Sequence, residues 1–477
     1  MLISIVTIIS PSASAQSDAW DGITVADSFN SGSGTEADPY IIMNGEELYK
    51  LSVDIGTATN PYGGTYFKLG NDINLGGMPW IPIGSASTPF IGNFDGNGKT
   101  VFNFVVLSDL AGLFGNASGA SIKSLKIDYA DIQSTAGTKA AALVATCDNT
   151  AVENVEVGEN VSVSITLDAA NPTIGGVLGF FGTASTAKNI INRANVSINY
   201  CEKNGVVGGV CGLIGANAIL DGAINYGNLL YANTENATTD ICQLGGVIGS
   251  IGASKTPGTV KNVINYGSVD STRHAGGIIG RTNAADGHVF ENCFNAGSVK
   301  AGTNVDNKPL AGLILGNGEF SASFTNCISI TIEGLNYVGA AKEGKTYGDD
   351  SSFATVLTID ELSFNADYTA VLNSVTQAMP AWTTVTDTDY EAPEGTEPEG
   401  TEPEGTEPED TKPEDTKPED TKPEETKPEA TEPTQTPSTD APGTEKPAEG
   451  GCGSVVAGGL AILAVVALAG FTIKKRS

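Results

Sequence analysis

The chain repeats one short pattern at nearly constant spacing. A Gly-Gly-aliphatic-x-Gly segment is followed about 15 to 20 residues later by an Asn-x-Gly segment, and the whole unit recurs about every 31 to 37 residues. The clearest copies of the first segment begin at Gly208, Gly245 and Gly276. Weaker copies begin at Gly112, Ala142, Gly175, Ala311 and Val338. A fixed period of this length predicts a repeat architecture, in which each unit buries its apolar face against its neighbours.

The composition of the unit predicts short β-strands. Runs such as Val152–Val157 and Val260–Asn265 tend to alternate apolar and polar residues and are rich in β-branched side chains. Helix is disfavoured, because a glycine every few residues would cost about 0.5–1 kcal/mol each in a helix interior. Short strands in a unit too long for a hairpin predict an all-β solenoid, whose strands pair in parallel from one coil to the next.

The repeated glycines and asparagines are interpreted as structural. The glycine pairs are expected at coil corners, where a residue without Cβ adopts φ > 0 and lets the next coil approach to about 4.8 Å. These pairs are Gly175 and Gly176, Gly208 and Gly209, Gly245 and Gly246, and Gly276 and Gly277. The asparagines are expected to form an amide ladder, in which each side chain bonds the ones above and below it. Its members are Asn192, Asn225, Asn265 and Asn295. A ligand site should occur once, whereas these positions recur.

Three tyrosines are candidates for contact with a ligand. Tyr226, Tyr231 and Tyr266 lie in two neighbouring units, and tyrosines stacked on an outer face would form a platform for a sugar. Tyr226 and Tyr266 occupy the same position of the repeat, so packing between coils is the alternative.

No catalytic residue is expected. Solenoids of this kind also carry lyases and glycosidases, and glycoside hydrolysis needs two carboxylates about 5 to 9.5 Å apart. The acids of the repeats are not expected to recur in register at one strand position; examples are Asp168, Asp221, Asp240, Asp270 and Asp286.

No metal or cofactor is expected either. The chain has two histidines, His274 and His288, and its seven cysteines form no CxxC pair, which disfavours zinc. Cys293 and Cys327 each follow an asparagine and are expected to be small buried hydrophobes. The turn at 95–98, Asp-Gly-Asn-Gly, is typical of a tight turn rather than a calcium loop.

The N-terminal part of the array carries a resemblance to a known family. Trp20-Asp-Gly, Trp80-Ile-Pro-Ile-Gly and Phe94-Asp-Gly-Asn-Gly-Lys precede Gly112-Leu-Phe-Gly and the Gly-Gly-Val-x-Gly units. This succession, over residues 20 to 345, resembles the GLUG-motif surface proteins of bacteria, whose repeats also occur in some immunoglobulin A metallopeptidases. The resemblance implies a right-handed parallel β-helix on a bacterial cell surface, often adhesive. It brings no peptidase activity, because the His-Glu-x-x-His zinc motif of those enzymes is missing.

Local sequence signals divide residues 1–390, here called the head and its leader, into segments. Residues 1–15 are typical of a signal peptide, with an apolar run before Ala13-Ser14-Ala15. Residues 16–110 are predicted to hold an N-terminal cap, with a short amphipathic helix from Gly45, and the first coils. Residues 111–348 are the repeats. Residues 349–390 are predicted to close the other end, and Thr358 to Glu361 has the spacing of a capping box.

The C-terminal part differs sharply in composition. The chain has 56 Asp and Glu against 25 Lys and Arg, and about half of the net charge of −31 falls in residues 391–450, a Thr/Pro/Glu repeat predicted to be a disordered stalk. Residues 455–473 carry no charge and are long enough for one transmembrane helix, with 474–477 as a basic cytoplasmic tail. The absence of a basic patch disfavours nucleic acid as a partner.

These features together predict a class of protein rather than a ligand. We expect a monomeric protein of the bacterial cell membrane, with a single C-terminal span and an extracellular head. Its expected function is non-catalytic, as an adhesin or binding module for a host or cell-surface glycan or protein. The alternatives are a polysaccharide-active lyase or glycosidase and a passive envelope spacer.

Overall fold

A computed structural model describes residues 18–57, 61–165, 171–199, 205–231, 242–252, 255–302, 310–348 and 353–382. The chain divides into two compact units, 1–400 and 401–477, and every described residue belongs to the first. The predicted signal peptide, stalk, transmembrane helix and cytoplasmic tail lie outside the described residues.

The described residues form 29 strands and three helices. The strands are β1 (Tyr40–Ile42), β2 (Tyr66–Leu69), β3 (Ile73–Pro79), β4 (Asn93–Ala111), β5 (Phe114–Ser118), β6 (Ser121–Ala140), β7 (Val144–Asp148), β8 (Ala151–Val157), β9 (Val161–Ile165), β10 (Thr173–Gly175), β11 (Leu178–Phe181), β12 (Thr186–Asn192), β13 (Asn195–Ile198), β14 (Val206–Gly208), β15 (Cys211–Ile214), β16 (Ile219–Asn225), β17 (Leu229–Tyr231), β18 (Gln243–Gly245), β19 (Ile248–Ile251), β20 (Thr259–Asn265), β21 (Val269–Ser271), β22 (His274–Gly276), β23 (Ile279–Thr282), β24 (His288–Asn295), β25 (Val299–Lys300), β26 (Ala311–Gly318), β27 (Ala322–Ile330), β28 (Asn336–Ala341) and β29 (Phe353–Val356). The helices are α1 (Gly45–Ile55), α2 (Ile359–Ser363) and α3 (Ala366–Ala378).

The strands wind into a parallel β-helix. Each strand of one coil pairs in parallel with the equivalent strand of the next coil, as β12 does with β16 and β16 with β20. A complete coil has four strands, here called A, B, C and D in chain order; in one coil they are β14, β15, β16 and β17. The prediction of a solenoid with parallel strands is therefore confirmed.

The core is a stack of inward side chains in register. At one C-strand position Val152, Ala187, Leu220, Val260 and Phe290 follow one another from coil to coil, and all are at most 1% exposed. The period-two alternation of the strands produces this stack, because every second side chain points inward. The five described cysteines are free and buried, which confirms the expectation for Cys293 and Cys327; the others are Cys147, Cys211 and Cys242.

The helix predicted from Gly45 is present as α1. Its N-cap residue Asn44 accepts a hydrogen bond from the backbone nitrogen of Glu47 at 3.0 Å, and the Glu47 carboxylate accepts one from the nitrogen of Met43 at 2.7 Å. Leu48, Leu51 and Ile55 are fully buried on one face of the helix. That face belongs to the same hydrophobic core as the first coils.

We expected residues 349–390 to close the end of the solenoid. The C-terminal helices lie elsewhere. Instead α3 lies along the outer face of the C strands and contacts β24, β20, β16 and β12. Further on, Trp382 Nε1 donates a hydrogen bond to Glu156 Oε2 in β8 at 3.0 Å. We call residues 358–382 the strap, because they run back along the side of several coils.

An apolar row on the outside of the solenoid explains the position of the strap. Five outward side chains follow one another in register on the C strands, and each is at most 5% exposed: Ile191, Ile224, Ile264, Phe294 and Ile328. Leu362, Tyr368, Val371 and Val375 of the strap pack against this apolar row. Covering this row removes its apolar surface from water, whereas a cap over the last coil would leave the row exposed.

Within the described residues, no helix has both the length and the apolar character that crossing a membrane requires.

Candidate functional site

The four predicted ladder asparagines hydrogen bond to one another in series. Asn192, Asn225 and Asn265 each donate from Nδ2 to Oδ1 of the next asparagine at 2.8 to 2.9 Å, and Asn295 donates to Ser329 Oγ at 3.1 Å. Each Nδ2 also donates to the carbonyl oxygen of the residue two positions later in the sequence, for example Asn225 to Gly227 at 2.8 Å. All four side chains are 0% exposed. A buried amide with these partners holds coils together and has no free group for a ligand.

The glycine pairs lie beside this ladder. We expected them to adopt φ > 0 and to let the next coil approach closely, and only the second reason holds. None of the eight glycines adopts φ > 0. The constraint is close approach, since a Cβ on Gly246 would lie 2.1 Å from the Gly277 carbonyl oxygen and 2.4 Å from Asn265 Cγ. The same contacts recur at Gly176, Gly209 and Gly277 with their own neighbours.

A second row of asparagines adopts the left-handed conformation and was missed in the sequence. Asn154, Asn189, Asn262, Asn292 and Asn326 lie midway along the C strands with φ between 51° and 56°. Several are linked through their amides, as Asn292 donates to Asn262 at 2.9 Å and Asn326 to Asn292 at 2.8 Å. The signal was available, since an asparagine recurs at this position in five C strands, with Gly222 in its place in β16, and asparagine tolerates φ > 0.

The three candidate tyrosines do not form one ligand platform. Tyr231 is 0% exposed and belongs to the core, so the prediction that it faces a ligand is wrong. Tyr226 and Tyr266 lie on the outer face, and their rings stack with centroids 5.0 Å apart and planes 2° apart. The Arg193 guanidinium covers Tyr226 at 4.5 Å, and the hydroxyl of Tyr266 hydrogen bonds to that of Tyr368 in the strap. Burial raises the pKa of Tyr368 to about 12.

These contacts predict how the strap can be released. In Val375→Asp a carboxylate would replace a side chain that is 0% exposed against the apolar row, at a cost of about 3 kcal/mol to docking of α3. We expect faster proteolysis within the strap and a change in Trp382 fluorescence. The control Gln377→Asp adds the same charge at an exposed position of α3. Equal protease resistance of the two variants would show that the strap is not held by this packing.

A row of alternating charges runs along the outside of the C-strand sheet. In register from coil to coil its members are Lys68, Asp95, Lys123, Glu153, Lys188, Asp221, Lys261 and Glu291. Lys123 Nζ lies 3.6 Å from Asp95 Oδ2, and Lys261 Nζ lies 2.7 Å from Glu291 Oε2. The expectation that acids do not recur in register is therefore wrong, because four of them share this position. We call these eight residues the charged row.

A cavity lies at the N-terminal end of the charged row. It has a volume of about 420 Å³, and Lys68, Asp95 and Lys123 line it together with Tyr66 and Asn93. Tyr66 is half-exposed, so an aromatic ring and both signs of charge meet at one opening. In the sequence, Phe94 and Asp95 were considered only as parts of a motif and of the turn at 95–98, and Tyr66 belongs to an ordinary strand pattern.

A second concave surface lies between the A and B strands. The third glycine of each motif is its floor, since a Cβ on Gly249 would lie 2.6 Å from the nitrogen of Val207 and one on Gly280 would lie 3.0 Å from the carbonyl carbon of Gln243. Outward side chains of the A strands, such as Val206 and Gln243, form one wall. Those of the B strands form the other wall, and they include Leu213, Ser250 and Arg281. We call this surface the A–B groove.

The described residues offer no group of three or more acids, histidines or cysteines that could hold a metal ion. The turn at 95–98 is an ordinary Asx turn, in which Asp95 Oδ1 accepts from the nitrogen of Asn97 at 2.8 Å. Asn97 has φ 53° and Gly98 has φ 71°.

No family model matches the chain, and no curated protein matches it. Among solved structures, the chain is similar to a proposed immunoglobulin A1 protease from Bacteroides ovatus. The TM-score is 0.47 at 18% identity, over 72% of this chain and 90% of that one.

Proposed function

We propose that the protein is a non-catalytic binding protein of the bacterial cell surface, acting as an adhesin. The observation that carries the proposal is the charged row, which keeps one register over eight coils and begins at a cavity that contains Tyr66. Successive charges are spaced by the coil repeat of about 4.8 Å. A rigid surface of this length suits contact with an extended glycan or with another protein.

The order of charges supports binding rather than hydrolysis. Each carboxylate of the row has a lysine on either side, except for Glu291, whose next partner is Thr325. Glycoside hydrolysis needs two carboxylates that face each other across the scissile bond. Carboxylates that lie beside ammonium groups in register are suited to polar recognition instead.

The proposal includes how the head is displayed. The composition of residues 391–450 predicts an extended acidic stalk, and the length of the uncharged segment 455–473 predicts a single membrane crossing. The head acts as a single copy outside the cell. Its coil is right-handed, because a crossover between parallel strands of one sheet is right-handed in about 98% of cases.

An array of glycans and extracellular proteins, probed with the full chain, tests the proposal. We expect saturable binding to at least one component. Binding should weaken at least about 10-fold when Lys123, Lys188 and Lys261 are together replaced by glutamine, which corresponds to about 1.4 kcal/mol.

The control carries glutamine at three exposed lysines outside the charged row, Lys255, Lys300 and Lys342. Its binding should match that of the unmodified chain. A folded chain that binds nothing on the array, or that releases new reducing ends from a polysaccharide, would overturn the proposal.

A further inference from the structure

The A–B groove contains a small cavity near its middle coils. Its volume is about 280 Å³, and Val206 and Leu213 line one part of it. Polar side chains line the rest of the cavity, so aliphatic and polar groups meet in it; they are Asn171, Thr173, Ser250, Arg281 and Asn283. Gln243 follows Val206 in register on the A strands, and His274 follows Gln243.

Four side chains on these coils hold buried polar atoms that have no hydrogen-bond partner in the described structure. They are Nε2 and Oε1 of Gln243, Oγ of Ser250, Nδ1 of His274 and Nε of Arg281. Gln243 is 0% exposed and Ser250 is 1% exposed. A buried polar atom without a partner costs about 1–3 kcal/mol, so a cluster of them needs an explanation beyond folding.

Neither Arg281 nor His274 contributes a net charge to the groove. Arg281 Nη2 lies 2.6 Å from Glu319 Oε2, which neutralises the guanidinium. Burial, followed by the nearby Arg273, lowers the pKa of His274 to about 4, so its ring is uncharged near neutral pH. Arg281 and His274 therefore offer a charged ligand no net counter-charge.

The available groups both donate and accept hydrogen bonds. The Gln243 amide and the Ser250 hydroxyl do both, whereas Arg281 Nε only donates. Val206 and Leu213 offer aliphatic surface beside them. The alternating hydroxyl and C–H groups of a sugar ring match such a mixture of polar and aliphatic groups.

We infer that the A–B groove at Gln243, Ser250 and Arg281 binds an uncharged, hydroxyl-rich ligand, namely a sugar residue of a neutral glycan. The inference deepens the proposed binding function and rests on it. It adds the groove, as the contact for one neutral sugar residue, to the contacts that the charged row makes.

Calorimetric titration of the full chain tests this assignment. The probes are the neutral tetrasaccharides maltotetraose, cellotetraose and mannotetraose, with tetragalacturonate as the acidic comparison. We expect at least one neutral probe to bind and the acidic one to bind at least 10-fold more weakly. Gln243→Leu and Ser250→Ala should each weaken the neutral probe at least 10-fold.

Thermal melting of the same variants without sugar separates a ligand site from a structural one. Gln243→Leu removes two unpartnered polar atoms at similar volume, so its melting temperature should stay equal or rise. Gln133→Leu and Ser197→Ala make the same changes on the D-strand face and should leave binding unchanged.

The outcomes distinguish the inference from the proposed function. If the array binds a glycan whose affinity survives Gln243→Leu and Ser250→Ala, the groove assignment is wrong while the binding function stands. A lower melting temperature of Gln243→Leu with unchanged binding would show a structural water site and overturn the assignment. An array without any bound component would overturn both.

Discussion

Asn225→Ala is expected to lower the free energy of unfolding of the head by about 3–5 kcal/mol. The Asn225 amide donates to Asn265 Oδ1 at 2.9 Å and to the Gly227 carbonyl at 2.8 Å. Its Oδ1 accepts from Asn192 Nδ2 at 2.8 Å and from the nitrogen of Gly227 at 3.2 Å. Alanine removes both roles in a site that is 0% exposed, and a buried group left without its partner costs about 1–3 kcal/mol.

A neighbouring asparagine provides the control. Asn228 is exposed and accepts hydrogen bonds from Ser268 at 3.0 Å and 2.7 Å, so it too links coils through its amide. Because water can replace an exposed partner, Asn228→Ala should cost less than about 1 kcal/mol. Urea unfolding of both variants, followed by circular dichroism, measures the difference. Equal midpoints would mean that burial of the ladder adds nothing to its strength.

The sequence was sufficient for the fold because its structural residues repeat as identical letters. Asn225 and Asn265 recur at one register position, and so do Gly209 and Gly246. A parallel β-helix stacks equivalent residues of successive coils, so the spacing of the repeat in the sequence equals the number of residues in one coil. The reason for the glycines was only half right, since a sequence cannot show whether a glycine is needed for its φ or for close approach.

The charged row escaped prediction because its members alternate in kind. Lys188, Asp221 and Lys261 share one position, but a search for recurring acids or recurring lysines passes over each of them. Like charges directly opposite on adjacent strands repel, so a stacked row favours alternation over repetition. The sequence signal was a recurring charge, of either sign, at the same position of eight successive coils.

The strap escaped prediction for a different reason. Ile224 and Ile264 directly precede the ladder asparagines. Simple alternation along a strand assigns only one of two adjacent apolar residues to the core. Ala223 and Val263 already fill the inward position, so the isoleucines face outward and need a separate cover. Nothing in residues 349–390 says which surface of the solenoid they cover, since an end coil and an outer apolar row both require apolar contacts.

Gly246→Ala is expected to destabilise the head by at least about 3 kcal/mol. The added Cβ would lie 2.1 Å from the Gly277 carbonyl oxygen and 2.4 Å from both Cγ and Nδ2 of Asn265. The backbone atom belongs to the next coil, so relief requires the coils to separate and the ladder amide to move. Overpacking costs about 1–3 kcal/mol where side chains can shift, and here neither neighbour can.

Gly63→Ala is the matched control, because the new Cβ would meet only the end of the Ile91 side chain at 3.3 Å. This exposed turn should change stability by less than about 0.5 kcal/mol. Urea midpoints again measure both variants. If Gly246→Ala and Asn225→Ala act through the same contact between coils, the double variant should cost less than the sum of the two single variants. Full additivity would instead show that the glycine corner and the asparagine ladder stabilise the solenoid independently.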